Sequence, residues 1–402
     1  MKKLLAVILA LVLCLTAAAS LADGIAKEDI KLGVILLHDE NSTYDLNFMN
    51  GAREAAEKLG LGENQLRFYR NQPESSECAE AAEELIDDGF NVIFFDSYGH
   101  QFYTDDVVAG HPDVQFVHAT GDLAHVKEYP NLANAFAEIY EGRYLAGIAA
   151  GMKLNQIKEA GNLKGEVPMI GYVGAYTYAE VVSGYTSFYL GAKSVCPDVI
   201  MKVQFTGSWY DEKEEKAAAE ALIAAGCDLI SEHADSMGAP TACENAGIPN
   251  VPYNISTIES CPNTYLIYSR INWEPYFEYL LNQVIAGEPV DQDWVGTFAT
   301  DSVKVSDLNE AFAAPGTAEA IETAKAELAA GTRRVFDTAA DNFITVNGEK
   351  LTEDWRPGEG TDGSFKEGTA IVYDGYFHES QYRSAPYFDA QIDGIELLNT
   401  KF

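Results

Sequence analysis

Polar and aromatic side chains collect directly after the stretches of this sequence that are typical of buried strands. The loops concerned span residues 38–45, 96–99, 118–121, 175–180, 206–211, 232–238 and 254–257. They are rich in Asp, Asn, Ser, His, Tyr and Trp, which hydrogen-bond the edge of a small ligand or stack on its face. Polar loop residues also cap helices, and Ser75 and Asp211 are interpreted that way. Only part of this set is therefore expected to contact a ligand.

Aromatic residues in or just after these loops favour a flat ligand. They are Tyr44, Phe48, Tyr98, Trp209 and Trp273. Their large apolar faces are unfavourable in contact with water, so a ligand or a facing lobe is expected to cover them. Packing in the core explains each one equally well when it is taken alone. Taken together, they predict a ligand that stacks.

The sequence offers no convincing catalytic constellation. The chain lacks the GxSxG, HExxH and GxxxxGK motifs, and its histidines have no nucleophile beside them. The glycines of GYVGAY at Gly171 follow a strand but lack the third glycine of a dinucleotide fingerprint. We expect no catalytic residues, no metal and no cofactor.

The elements that must position these loops occur twice along the chain. A series of strand, polar loop, helix, strand, helix and strand begins at Ile30 and begins again at Pro168, about 138 residues later. Strands that alternate with helices imply parallel sheets with right-handed crossovers and helices on both faces. Ligands of such sheets bind beyond the carboxyl ends of the strands. The prediction is an α/β protein of two doubly wound parallel-sheet lobes with a ligand cleft between them.

The chain is expected to cross between the lobes near residues 143, 270 and 294. Lobe 1 is predicted to hold residues 23–143 and 270–293, and lobe 2 residues 144–269 and 294–402. Residues 347–368 are interpreted as a loop or hairpin insert. The aromatic-rich tail that follows is expected to close over one lobe.

The charge of the chain limits its partners. It has 402 residues, with 62 acidic and 27 basic side chains and a formal charge of −35. Because this charge repels phosphate backbones, and no basic cluster is longer than Arg333-Arg334, nucleic acid is not expected as a partner.

The amino terminus predicts export. Lys2-Lys3 precede an apolar run from Leu4 to Thr16, and small residues up to Ala22 form a cleavage site. About 13 apolar residues are too few to span a membrane, which needs roughly 20. We interpret residues 1–22 as a signal peptide and place the mature protein in the periplasm or on the extracellular face. A lipid anchor at Cys14 is the less favoured alternative, because Leu13 precedes it rather than a small residue.

Cysteines after the predicted cleavage site form an odd set. They are Cys78, Cys196, Cys227, Cys243 and Cys261. At most two disulfides can form among them, and Cys243 with Cys261 is the favoured pair.

Several motifs carry a resemblance to a known family. They are GRYLAGIAAGM at Gly142, HPDVQFVHATG at His111, the block beginning GSWYD at Gly207, and INWEPYFEYLLN at Ile271. In these motifs the chain resembles the basic membrane protein (BMP) family of ABC-transporter substrate-binding proteins. The resemblance implies a type I periplasmic-binding-protein fold. It also implies capture of a purine base or nucleoside outside the cytoplasm and delivery to an ABC permease.

The resemblance also implies roles for individual residues. Trp209 takes the position of the stacking aromatic in lobe 2, and Tyr44 or Phe48 supplies the one in lobe 1. The chain has His118 where nucleoside binders carry an aspartate, Asn254 near a ribose-contacting aspartate, and no lysine near Ile271. The HATG, SWYD and NW motifs together resemble more closely the branch of the family associated with adenine-like bases.

Amide and carboxyl groups, such as those of Asn41, Asp235 and Asn254, would then form hydrogen bonds with the ring edge of the stacked purine. The predicted ligand-binding residues are Asn41, Tyr44, Phe48, Ser97, Tyr98, His118, Trp209, Asp235, Asn254 and Trp273. Two other classes of function stay open at this point, an extracytoplasmic sensor of the same fold and a nucleoside hydrolase.

Overall fold

Two large parallel sheets form the framework of the structure, a computed structural model that describes residues 24–127, 129–339, 344–355 and 369–401. The predicted signal peptide and residues 356–368 of the predicted insert lie outside the described residues.

The strands and helices are short and alternate along most of the chain. The strands are β1 (Leu32–Ile35), β2 (Leu66–Tyr69), β3 (Val92–Phe95), β4 (Gln115–Ala119), β5 (Leu132–Ala137), β6 (Met169–Gly174), β7 (Ile200–Phe205), β8 (Leu229–His233), β9 (Asn250–Val251), β10 (Tyr268–Ile271), β11 (Asp293–Gly296), β12 (Val303–Ser306), β13 (Thr345–Val346), β14 (Glu349–Lys350), β15 (Val372–Tyr373), β16 (Tyr376–Phe377) and β17 (Ile395–Leu397). The α-helices are α1 (Thr43–Leu59), α2 (Ser76–Asp87), α3 (Asp105–Gly110), α4 (Ala124–Lys127), α5 (Ile139–Glu159), α6 (Ala179–Val195), α7 (Glu212–Ala224), α8 (Gly238–Ala246), α9 (Glu274–Ala286) and α10 (Thr317–Ala329). Short 3-10 helices span Glu63–Gln65 and Tyr98–Phe102.

The first sheet has the strand order β11-β5-β4-β3-β1-β2, and all of its pairs are parallel. Its central strands β1 and β3 are entirely apolar or glycine and fully buried, because helices cover both faces of the sheet. Helices α1 and α9 pack on one face, and α2 and α3 pack on the other.

The second sheet has the order β17-β7-β6-β8-β9 and is also parallel. Helices α5 and α6 cover one face, and α7 and α8 cover the other. Helices α5 and α6 pack so closely that Gly147 has no room for a side chain. A Cβ atom there would collide with the carbonyl oxygen of Phe188. Gly147 and Gly151 of the GRYLAGIAAGM motif therefore serve the packing of α5 against α6, and Gly142 lies against β10 and β12.

The chain passes between the sheets at three places in the described residues. β5 of the first sheet leads directly into α5, and the antiparallel pair β10 and β12 links the two cores. The crossing expected at residue 294 falls inside β11, which pairs with β5 through Gly296. Residues 294–296 thus extend the first sheet, although we had expected them in lobe 2.

The carboxyl-terminal tail joins the second sheet. β13 and β14 form a hairpin whose turn, Asn347-Gly348, has both φ angles positive, as a tight hairpin turn requires. β17 then pairs with β7, and Tyr387 and Phe388 are buried in the core beside α5 and α6.

The five described cysteines are all buried free thiols. The disulfide that we expected between Cys243 and Cys261 is therefore not present in the structure. In the part of the chain that is described, no helix has both the length and the apolar character needed to cross a membrane.

Candidate ligand-binding site

A cavity lies at the carboxyl ends of both sheets, where the strand-end loops of the two lobes meet. The space between its walls measures about 360 Å³, part of it open to solvent. The residues that line it are Leu37, His38, Tyr44, Asp45, Ser97, Tyr98, Thr120, Glu180, Trp209, His233, Asp235 and Tyr253. This is the position at which open parallel sheets bind their ligands.

The two lobes touch each other around this cavity. The backbone N–H of Thr43, at the start of α1, donates to the carbonyl oxygen of Asp235 at 2.8 Å. The rings of Tyr98 and Tyr178 approach across the cleft with centroids 5.9 Å apart. The structure therefore shows the lobes closed over the cavity.

Aromatic side chains from both lobes form its walls. Tyr44 stands on the first turn of α1, where its hydroxyl donates to the carbonyl oxygen of Asp96 at 2.9 Å. Trp209 follows β7 in the other lobe, half-buried and held edge-on by Tyr176 at 5.2 Å between ring centroids. Both rings thus have protein support on one side and line the cavity on another.

Hydrogen bonds within the protein hold several polar groups of the cavity wall. Asp45 accepts from the N–H of His38 at 2.7 Å and from the hydroxyl of Ser42 at 2.5 Å. Ser42 also caps α1, because its hydroxyl accepts the N–H of Asp45. The hydroxyl of Ser97 donates to Glu74 at 2.7 Å. These contacts shape the loops and leave fewer groups for a ligand.

Asp235 is the carboxylate of the cavity that stands out. Among the described residues, no side chain or backbone group donates a hydrogen bond to its carboxylate, and the residue is 4% exposed. Burial raises the pKa of Asp235 well above its ordinary value, and the nearby carboxylate of Glu215 adds to the rise. Asp235 is therefore an acceptor that a ligand with N–H groups would satisfy.

A buried arginine supports the part of the cavity wall that Tyr253 forms. Arg143, on α5, is fully buried and donates to the carbonyl oxygen of Glu232 at 2.6 Å. Its guanidinium lies over the ring of Tyr253, 3.9 Å from the centroid. Beside it, His233 lies 3.5 Å from Glu180, and burial lowers the pKa of that histidine. Arg143 thus holds the ring of Tyr253 in place at the cavity wall.

The structure brings half of the predicted ligand-binding residues to this cavity. They are Tyr44, Ser97, Tyr98, Trp209 and Asp235. Asn41, Phe48, His118, Asn254 and Trp273 do not line it.

Each of the five has a structural reason for lying elsewhere. Phe48 and Trp273 stack on each other in the core, and Asn41 is exposed and hydrogen-bonded to Asp39 at 2.8 Å. Asn254 adopts a positive φ of 67°, and its N–H donates to Ser269 beside the β10 crossing. His118 stacks on Phe95 and lies 3.0 Å from the hydroxyl of Thr104, and burial lowers its pKa to about 3.

Other residues line the cavity that the sequence did not predict as ligand contacts. They are Leu37, His38, Asp45, Thr120, Glu180, His233 and Tyr253. Most lie within the strand-end loops that the sequence marked, and Leu37 and Tyr253 directly precede such loops. The rule that ligands bind after strands therefore led to loops that line the cavity, but it did not say which side chain of each loop faces the cavity.

No group of three or more His, Cys, Asp or Glu side chains in the described ranges is arranged to hold a metal ion. The expectation of a site without a metal remains a prediction.

Solved structures of solute-binding proteins share the fold. The chain superposes on an ABC transporter solute-binding protein from Aeropyrum pernix with a TM-score of 0.63 at 18% identity, covering 78% of this chain and 94% of that one. A solute-binding protein from Conexibacter woesei gives 0.59 at 21% identity, covering 78% and 99%. The predicted type I periplasmic-binding-protein fold is confirmed.

Similar proteins also exist at the level of sequence. A purine-binding protein of Brucella abortus is 33% identical over 275 residues, which cover 67% of this chain and 73% of that protein. A putative ABC transporter glucose-binding protein of Haloferax volcanii is 32% identical, covering 57% and 55%. The ABC transporter nucleoside-binding protein BmpA of Lactococcus lactis is 26% identical, covering 56% and 61%.

The family described as Bmp, ABC transporter substrate-binding protein PnrA-like, matches residues 32–328. This match spans the first sheet, all strands of the second except β17, and every loop that lines the cavity. The chain therefore belongs to the Bmp family of ABC transporter substrate-binding proteins, as its motifs predicted.

Proposed function

We propose that this protein captures a purine base or purine nucleoside in the cavity between its lobes and delivers it to an ABC permease. The observation that carries the proposal is the pair of aromatic rings, Tyr44 and Trp209, which line one cavity from opposite lobes. Stacking of a base on an aromatic side chain contributes roughly 1–3 kcal/mol. Two relatives named for purine and nucleoside binding support this ligand class.

Asp235 supplies the polar part of the recognition. Purines carry N–H donors on their ring edge, and the carboxylate of Asp235 has no donor within the described part of the protein. A ligand without such donors would leave this buried acceptor unpaired, and the unpaired group would reduce its affinity. The site therefore favours a flat ligand with N–H groups over an apolar one.

A thermal-shift screen of nucleobases, nucleosides, sugars and amino acids tests the ligand class. A ligand that binds the folded state raises the melting temperature by mass action. We expect purines to give the largest shifts. Because one relative is named as a glucose-binding protein, sugars are the informative competitor. A shift with sugars and none with purines would refute the proposal.

We propose that the protein binds and delivers its ligand without catalysing a reaction. The relatives from Brucella abortus and Lactococcus lactis are named as binding proteins, and their family operates outside the cytoplasm. Incubation of the purified protein with adenosine, guanosine and inosine is expected to leave each nucleoside intact. Steady release of free base would favour a hydrolase instead. Delivery is tested by comparing uptake of labelled purine in cells with and without the protein.

Export completes the proposed function. We propose that residues 1–22 direct the chain across the cytoplasmic membrane and are removed, with a lipid anchor at Cys14 as the alternative.

A further inference from the structure

The carboxyl-terminal segment, described over residues 329–339, 344–355 and 369–401, lies beyond the family match yet is firmly attached to the second lobe. Strand β17 pairs with β7, and the side chain of Asn399 donates to the carbonyl oxygen of Phe205 at 2.9 Å. Phe336 and Phe388 of the segment are buried in the core with α5 and α6, and the ring of Phe336 lies 5.4 Å from that of Tyr140 on α5. The segment therefore moves with the second lobe.

From this attachment the segment reaches the first lobe. Nη1 of Arg383 lies 3.2 Å from Oδ2 of Asp122, in the loop after β4. Arg383 is 5% exposed and Asp122 is 1% exposed, so the ion pair is buried. The next residue, Ser384, donates its N–H to Asp293 at the start of β11, at 2.8 Å. These contacts join the lobes in addition to the backbone crossings.

Arg383 is held rigidly on its own side of this connection. Its Nε donates to the carbonyl oxygen of Ala385, and its Nη2 donates to that of Pro386, each at 3.1 Å. The guanidinium is thus oriented by its own segment before it meets Asp122.

The ion pair also contacts a residue of the ligand cavity. The oxygen of Asp122 that binds Arg383 accepts a hydrogen bond from the hydroxyl of Tyr98 at 3.3 Å. Tyr98 lines the cavity and meets Tyr178 of the other lobe. A continuous set of contacts therefore leads from the cavity through Tyr98 and Asp122 to the carboxyl-terminal segment.

We propose that Arg383 is a positioning residue for ligand binding, and that its pair with Asp122 holds the lobes closed and slows ligand release. The identity of the ligand in this inference rests on the proposed function. Loss of either partner removes this buried ion pair between the lobes, and the loss of such a pair acts mainly on dissociation.

The test compares Asp122→Asn, Arg383→Gln and the double variant with a matched control. Arg333→Gln serves as the control, because Arg333 belongs to the same segment and, among the described residues, donates hydrogen bonds to Glu327 and Tyr144 of the second lobe. Stopped-flow release of the tightest purine from the screen gives the dissociation rate. We expect each single variant to raise that rate at least about tenfold and the control to leave it unchanged.

The double variant separates closure from stability. It removes both buried charges together, so it is expected to fold even if a single variant does not. Because both changes remove one interaction, its dissociation rate should match that of the single variants rather than their product. Wild-type dissociation rates in the double variant would overturn the proposal.

A second measurement works without any ligand. Spin labels on Glu63→Cys and Lys213→Cys, exposed positions on the two lobes, report the distance between the lobes. Without ligand, Arg383→Gln should shift the distances to longer values, and Arg333→Gln should not. If no purine binds the wild type, the proposed function fails, and this distance still decides the role of Arg383. Unchanged distances in Arg383→Gln and the double variant would overturn it.

Discussion

Phe48 stacks on Trp273 with ring centroids 4.3 Å apart and an interplanar angle of 27°, and neither side chain is exposed. Phe94 completes this cluster beneath α1. A side chain at Gly51, on the next turn of α1, would collide with the Cβ and backbone of Trp273, so the helix packs directly against the start of α9. Phe48 and Trp273, which the sequence predicted to contact the ligand, thus hold α1 on the sheet. Tyr44 is the aromatic residue of α1 that lines the cavity.

Trp273→Ala should therefore reduce stability and spare binding. Truncation of a buried tryptophan leaves a large void and costs about 3–5 kcal/mol of the free energy of unfolding. Urea denaturation measures this loss. The fraction that stays folded should bind the ligand with wild-type affinity. A large loss of affinity at unchanged stability would mean that Trp273 contacts the ligand after all.

Trp209→Ala should have the opposite effect. We expect affinity for the purine to fall at least about tenfold, roughly 1.4 kcal/mol, because one stacking face is lost. Trp294→Ala is a matched control, since Trp294 is half-buried in the first lobe beside Tyr276, with ring centroids 4.8 Å apart. Calorimetric titration measures both. If Trp209 only packs between the lobes, its truncation will lower the melting temperature more than the affinity.

Asp235→Asn should weaken binding while stabilising the protein without ligand. The pKa of Asp235 is raised in the folded state, chiefly by burial. Between the unfolded pKa and the folded one, the folded state holds a proton that the unfolded state has lost. Stability therefore falls as pH rises through that window, and the asparagine variant escapes this loss.

Two measurements check the Asp235→Asn prediction. Purine affinity at pH 7 should drop at least about tenfold, and the free energy of unfolding of the ligand-free variant should exceed that of the wild type. The wild type should also bind more tightly as pH rises, because the ionised carboxylate is the better acceptor for N–H groups. Equal affinity in the variant would remove Asp235 from the site.

His118 should make the protein sensitive to acid. Burial lowers its pKa from 6.5 to about 3, so the unfolded state binds a proton in this range and the folded state does not. Stability is therefore lost as pH falls from 6.5 towards 3. We expect His118→Leu to lose less stability than the wild type between pH 7 and pH 5 in urea denaturation. An identical loss in both proteins would contradict this role.

The exported protein is expected to begin at Asp23. Amino-terminal sequencing of material from outside the cytoplasm measures this directly. A start at a lipid-modified Cys14 would replace cleavage after Ala22 with an anchor, whereas the unprocessed chain would argue against export.

The sequence by itself determined the repeated strand and helix order, the loops that follow the strands and the family. These features depend on short-range patterns: apolar runs of strand length, helical periodicity and contiguous motifs such as GSWYD. It therefore located the loops around Tyr44, Tyr98, Trp209 and Asp235, all of which line the cavity.

Only the tertiary structure decided which side chains face the cleft. Tyr44 and Phe48 lie one turn apart on the same helix, and no local pattern shows that the second points into the core. Their difference arises because Trp273, far along the chain, occupies the space beneath that turn. Arg383 and Asp122 are separated by 261 residues, and their pairing depends on where the tail packs against the two lobes. Such contacts are set by packing between distant segments, which the local sequence does not encode.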